Sequence, residues 1–373
     1  MRRREALALG GGLLSALSAG CLETLRREDA WRELVVDPPD GVYVPSHDDE
    51  MLQYGTTIAD GRTISLFASR PHSFWTIVDA ERSRADVRSR HALHLMVEVR
   101  DVRSGVIVPS PVAVTIQSQH EDGAADEGEP ADRRTLWPML SQRMGPHYGD
   151  NVSLAGDGTY TASVQVGPVN VDATGAFAER FAGPMTVEFE FAYDAAEIES
   201  LARRLVDEDE GRGEPGALEP MDEHGHESDE EHTDDHDDHA DPEIDVSDAA
   251  RIGSATGDDI EYTAARLTTD RTEDATPSLA VTTRTTYNRY SLLHASLSAT
   301  VADGGRSIAS LSLRETIDPI RGHHYAAPVD SDILERGDEL SITLESPPQV
   351  ARHEGYETAF LDRETVSIAL DER

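Results

Sequence analysis

The feature that most restricts this chain is apolar alternation with period two. Residues 187–193 read VEFEFAY, so Val187, Phe189 and Phe191 share one face while Glu188 and Glu190 share the other. That pattern suits a sheet packed on one side and wet on the other. Comparable short runs occupy 63–69, 74–78, 92–101, 112–117, 159–166 and 185–193. Turn-forming clusters such as Asp37-Pro38-Pro39-Asp40-Gly41 and Gly156-Asp157-Gly158 divide them. Strands of this length and spacing predict an Ig-like β-sandwich over 22–206. Helical periodicity shows at 195–206, where Ile198, Leu201 and Leu205 fall on a single face.

At residue 207 the composition breaks. From there to 248 the chain is nearly all Asp, Glu, Gly, Pro and His without periodicity, which predicts a disordered linker. Alternation resumes at 260–267, 278–283, 292–301, 307–313, 339–345 and 365–370, and predicts a second sandwich over 249–373. The expected fold class is therefore all-β: two Ig-like sandwich domains joined by an acidic, His-rich linker. A length of 373 residues accommodates that plan. The halves also read as a diverged repeat. LHLMVEVRD at 93–101 answers LHASLSATVAD at 293–303, and GPHYGDNV answers GHHYAAPV. These matches anchor His94 to His294, His147-Tyr148 to His324-Tyr325, and Gly175 to Gly355.

Charge limits the partners. The formal net charge is −39, every basic residue is arginine, and the acids are spread along the whole chain. Such a surface suits high salt, repels phosphates and so excludes nucleic acid, and favours cations. Cys21 is the single cysteine, which rules out an intrachain disulfide. Arg2-Arg3-Arg4, a small-residue apolar run to Ala19, and Ser18-Ala19-Gly20-Cys21 together read as a twin-arginine export signal over 1–21. The run is too short to span a bilayer. The expected outcome is lipidation at Cys21 and an extracytoplasmic protein anchored to the outer face of the membrane.

Three groups of residues carry metal chemistry. In LWPMLSQRMGPHYGDNVSL (136–154), Met139, Met144 and His147 crowd one turn-rich connection. His94 and Met96 sit two apart on an expected strand and so share a face. Imidazole and thioether donors together suit copper or iron. In the second half His294, His323, His324 and His353 form a candidate imidazole site for Cu(II), Zn(II) or Fe(II). In the linker His224, His226, His232, His236 and His239 alternate with Asp and Glu, a composition that collects divalent cations weakly. His47 and Met51, in SHDDEM, read as surface or packing residues. No nucleophile elbow, phosphate-cradling loop, HExxH or nucleotide fingerprint is present, so nothing in the sequence points to an enzyme.

Residues from about 42 to 193 resemble the periplasmic metal-binding proteins of bacterial ferrous-iron uptake operons, the pathogen-specific membrane antigen family of iron transporters. Pro138-Met139 running into His147-Tyr148-Gly149-Asp150-Asn151-Val152 carries the resemblance, with His94-Leu95-Met96 where the family has His-Leu-Glu. The resemblance implies an Ig-like sandwich, homodimeric in the family, that binds copper or iron through His, Met and Glu. The glutamate position here is Met96, and the methionine ligand is Met139 or Met144. A further family histidine falls near 169–175, where this chain has none, and His353 is its counterpart in the second half. The expected function is supply of iron or copper to a membrane metal permease. The alternatives are copper sequestration or delivery to a cuproprotein, and a structural or adhesion lipoprotein without a tight metal site.

Overall fold

A strand with one apolar face needs a second layer to bury it. The computed structural model of the protein describes residues 35, 38–119, 130–221, 249–267, 277–353 and 355–370, and shows such layers twice. Cys21 and the five linker histidines lie outside the described residues.

In the first half the strands are β1 (His47–Asp49), β2 (Leu52–Ala59), β3 (Arg62–Ser69), β4 (Phe74–Val78), β5 (Glu81–Ala85), β6 (Leu93–Asp101), β7 (Val112–Ser118), β8 (Asp132–Thr135), β9 (Trp137–Ser141), β10 (Gly145–Val152), β11 (Gly158–Val166), β12 (Asp172–Ala173), β13 (Met185–Tyr193) and β14 (Arg203–Leu205). One sheet runs β2-β3-β6-β10-β9 and faces a second of order β13-β11-β7-β8. Leu93, Leu95, Val97 and Val99 of β6 pack there with Val112, Val114 and Ile116 of β7 and with Phe189 and Phe191 of β13.

The second half contains β15 (Ala249–Gly257), β16 (Ile260–Leu267), β17 (Ser278–Thr285), β18 (Ser296–Asp303), β19 (Arg306–Asp318), β20 (Gly322–Pro328), β21 (Glu339–Ser346), β22 (Ala351–Arg352) and β23 (Thr365–Ala369). The long β19 serves both layers: its first part pairs with β18 and its last five residues pair with β20. The order β15-β16-β17-β20-β19-β18-β21-β23 follows that of the first half, with β19 standing for β9 and β8 together and, among the described residues, nothing matching β4 and β5. Tyr262, Leu279 and Tyr325 of one layer meet Leu297, Ile342 and Ile368 of the other.

The register corrects two sequence anchors. Ladder β3–β6 ends on Ser69 opposite His94, and ladder β16–β17 ends on Leu267 opposite Ser278. The positional counterpart of His94 is Ser278, whereas His294 lies in the connection before β18. Composition misleads here because Leu-His precedes alternation in both places. The arm ladders likewise put Thr174 level with His353, one residue out of step with the Gly175–Gly355 anchor, whereas the His147-Tyr148 and His324-Tyr325 anchor coincides in geometry. Gly145 and Gly322 both take positive φ (72° and 65°), and the His147 and His324 Nδ1 atoms lie 2.9 and 3.1 Å from the carbonyls of those glycines. The Tyr148 and Tyr325 hydroxyls accept from Ser110 N and Ala295 N.

The two halves exchange arms. Between β11 and β13 the chain crosses over, and β12 adds to β19 in parallel, Asp172 opposite Thr316 and Ala173 opposite Ile317. Between β21 and β23 it crosses the other way, and β22 adds to β9 in parallel, Ala351 opposite Met139 and Arg352 opposite Leu140. Ile317 packs in the core of the first half and Leu140 in that of the second. Arg352 fixes the second arm. It is fully buried, donates to the Ala359 and Pro348 carbonyls, and stacks 5.4 Å above Phe360.

Three further expectations change. Residues 136–154 are not a turn-rich connection but a tight hairpin, β9 and β10, with His147 inside a strand. The helix stops at Ser200, and 203–205 become β14, paired with β1, because Arg203 and Arg204 reach Asp49 and Asp48 across that ladder. Structure also continues past 207: Glu208–Glu210 form a 3-10 turn, Pro215 bridges Tyr43, and Leu218 N donates to Gln142. The tract without described structure begins at 222.

Candidate metal centre

Alternation along β6 sends Leu95 and Val97 into the sandwich and leaves His94 and Met96 on the other face of the sheet. The ladders carry that face across three strands. Asn151 of β10 stands opposite His94, Gly149 opposite Met96, and His147 opposite Met139 of β9. Two segments cover it. Ser69 pairs with His94, so the connection that follows β3 delivers His72 above it. From the second half, β22 lies along β9 and places His353 next in line, its N–H 3.5 Å from the Leu140 carbonyl.

One ligand nitrogen from each of His72, His94 and His353 lies within 4.8 Å of the other two. The His72 ring centroid is 4.1 Å from that of His94 and 4.4 Å from that of His353, and His147 lies 5.6 Å from His353. Met139 joins them through the absent side chain of Gly149. A Cβ there would stand 2.7 Å from Met139 Sδ and 2.8 Å from His94 Nε2. Glycine at 149 is what lets the thioether and the imidazole approach the same point.

The hydrogen bonds fix the tautomers. Asn151 Nδ2 donates to the His72 carbonyl, which turns Oδ1 toward His94 Nδ1 at 3.2 Å. His147 Nδ1 lies 2.9 Å from the Gly145 carbonyl and His72 Nδ1 3.1 Å from the Arg70 carbonyl. Each oxygen accepts only, so each Nδ1 donates and Nε2 is the nitrogen left to face a metal, the usual arrangement of a metal-binding imidazole. The Nε2 atoms of His94, His147 and His353 are buried with no hydrogen-bond partner. Burial, reinforced by the neighbouring imidazoles, holds His94 and His353 well below the ordinary histidine range. Burial lowers His147 to about 4. A cluster of neutral imidazoles with one thioether fits a borderline transition metal.

The remaining sequence candidates fall elsewhere. Met144 sits in the tight turn between β9 and β10, off the register that carries the cluster. The second-half set does not converge, because His353 crosses to the first half. Glu315 takes up two of the others, His323 Nε2 at 2.8 Å and His294 Nδ1 at 3.4 Å, and they hold its carboxyl far below the usual range despite burial. His324 stays apart. At the positions equivalent to His94, Met139 and Gly149 the second half has Ser278, Thr316 and Ala326, and at that of His353 the arm from the first half supplies Thr174. Thr174 donates to Asp318 instead, and an alanine fills the space that Gly149 leaves open. Among the described residues, only the first of the two equivalent places gathers imidazole and thioether donors.

Sequence reasoning missed His72. The signal was present: whatever follows Ser69 must emerge beside His94 once β3 and β6 pair. His47 and Met51, read as surface or packing residues, line a cleft of about 100 Å³ together with His72, Met96 and His353.

The fold and this cluster define a two-sandwich protein with a buried His–Met site. Residues 111–195 match the family model described as Fe2+ transport protein. The match contains Met139, His147 and Gly149, whereas His72, His94 and His353 lie outside it. Residues 245–369 match a model described as a domain of unknown function. Among solved structures, FetP of uropathogenic Escherichia coli strain F11 is similar at 19% identity. The alignments cover 39% of this chain and 97% of FetP, with TM-scores of 0.31 for the as-isolated protein and 0.28 for a copper-bound variant. No curated protein matches the chain.

Proposed function

We propose that the protein is an extracytoplasmic, lipid-anchored binding protein that holds an iron or copper ion between its two sandwiches and supplies it to a membrane permease. The observation that carries this reading is the convergence of His72, His94, His147 and His353 beside Met139, with three buried Nε2 atoms left without hydrogen-bond partners. The iron-transport match over 111–195 supports the cargo class. No carboxylate stands in the described cluster, and the donor set of imidazoles and a thioether is softer than a His–Glu site, which favours copper within that class.

The linker supports a collecting role. Met221, the last described residue before the His-rich tract, donates its N–H to the Arg143 carbonyl, and Arg143 and Leu218 line the cleft. The tract's five histidines and many carboxylates would raise the local cation concentration there. Export and anchoring rest on 1–21, and no described helix is long and apolar enough to cross a membrane.

The test is metal analysis of the form beginning after Cys21, purified in high salt without chelator, beside His147→Ala and a deletion of 222–240. Near-stoichiometric copper or iron that survives the deletion and vanishes in His147→Ala is the expected result. Metal lost only with the linker would reduce the protein to a cation-collecting tether. No metal in any form would leave a structural or adhesion lipoprotein.

A further inference from the structure

Resting on that reading, we infer that the cleft beside the buried cluster holds a second, outer site for a soft monovalent cation, Cu(I) above all. His47, Met51 and Met96 line the same cleft as His72 and His353, so a cation in the cleft meets these donors on its way to the imidazoles. Met96 is also two residues from His94 on one strand and shares its face, so the outer donors adjoin the inner ones.

The rim shows which cation suits the place. Its carboxylates are engaged by guanidinium groups. Asp49 takes a bidentate pair from Arg203, both bonds 2.6 Å, and Asp48 lies 3.1 Å from Arg143. A hard divalent ion would have to displace arginines there. Two thioethers and an imidazole instead suit a soft d10 ion in low coordination. The His47 Nδ1 atom lies 3.0 Å from Ser46 Oγ, and its Nε2 is 3.8 Å from Asp49 Oδ2. Pairing of β1 with β14 fixes the segment that carries it. The molecule thus presents softer donors outside and imidazoles inside: a cation received by Met51 and Met96 passes to His94 and His353, where nitrogen donors dominate.

The experiment is anaerobic Cu(I) titration of the full chain, without its signal, against a colorimetric Cu(I) chelator. It is run on wild type, on Met51→Leu combined with His47→Gln, and on His94→Ala. Met51→Leu keeps volume and apolarity, and far-UV circular dichroism checks that each variant folds. The expected result is a weaker second equivalent in wild type that the outer double variant lacks, with the tighter equivalent unchanged. X-ray absorption of wild type at full loading should show more sulfur per copper than at half loading, a readout independent of any variant. A double variant that keeps both equivalents, or a wild type with one equivalent and no rise in sulfur, would overturn the outer site. Loss of the tighter equivalent in His94→Ala supports the inner reading separately. Its retention would sink that reading without touching the outer one.

Discussion

At the scale of single residues, the most informative position is a glycine. Gly149→Ala puts a methyl group within contact of both Met139 Sδ and His94 Nε2. Met139 can move its flexible end, which protects the fold but removes a donor from the cluster. We expect at least about a tenfold loss of metal affinity, about 1.4 kcal/mol, with thermal stability nearly unchanged. Ala326→Gly at the equivalent place in the second half should leave metal binding as it was. Chelator competition on the two variants decides it. His324 gives a pH-dependent prediction away from the metal. Burial lowers it from 6.5 to about 4. The unfolded chain then takes up this proton near 6.5 and the folded chain only near 4. Stability is therefore fully present above about pH 6.5 and falls as pH drops toward 4, by up to about 3 kcal/mol for this one group. Urea midpoints at pH 7 and pH 5 should separate in wild type and separate less in His324→Gln.

At the scale of elements, the arms matter most. β22 contributes two residues to the sheet of the other half, and its one strong anchor is Arg352. Arg352→Ala would leave the Ala359 and Pro348 carbonyls without their donor and open a cavity under Phe360. We expect a loss of about 3 kcal/mol and, with β22 loosened, weaker metal binding through His353. Unchanged affinity in a destabilised variant would show that His353 is held by something other than its arm. This element also marks where the sequence stops being readable. Long alternating runs announce their strands, since β6, β11 and β13 each need one buried face, and HYGDNV with Pro138-Met139 points at the site. Ala351-Arg352 is too short to show a period, and its partner is a strand more than two hundred residues away. His353 could be matched to the missing histidine near 169–175, but not to the half it serves. The His94–His294 pairing failed for a related reason, since a dipeptide followed by alternation carries no register.

At the scale of the whole molecule, the chain is two similar halves that hold one another while one of them keeps the metal. Most cluster residues come from the first half and His353 from the second, so a bound ion adds a further bridge to halves already joined by the exchanged arms β12 and β22. Across the same boundary, Arg314 pairs with Asp172 and Arg363 with Asp79. These contacts are exposed and screened by salt, so they are weak tethers. The net charge of −39 adds self-repulsion that salt relieves. The metal should then tighten the coupling that the exchanged arms already provide. Trp75 and Trp137 lie on β4 and β9, the strands that flank β22, so their emission reports the sheet that receives the second half's arm, while far-UV circular dichroism reports both halves. Metal at a thousandfold excess over its dissociation constant stabilises the form that binds it by about 4 kcal/mol. Because His353 completes the cluster, we expect that shift in both signals together, with one cooperative transition. His353→Ala should leave only a small shift, confined to tryptophan emission. A metal-induced rise in the tryptophan transition alone in the wild-type protein would mean that the site closes without the second half, and that the arm carrying His353 serves folding only.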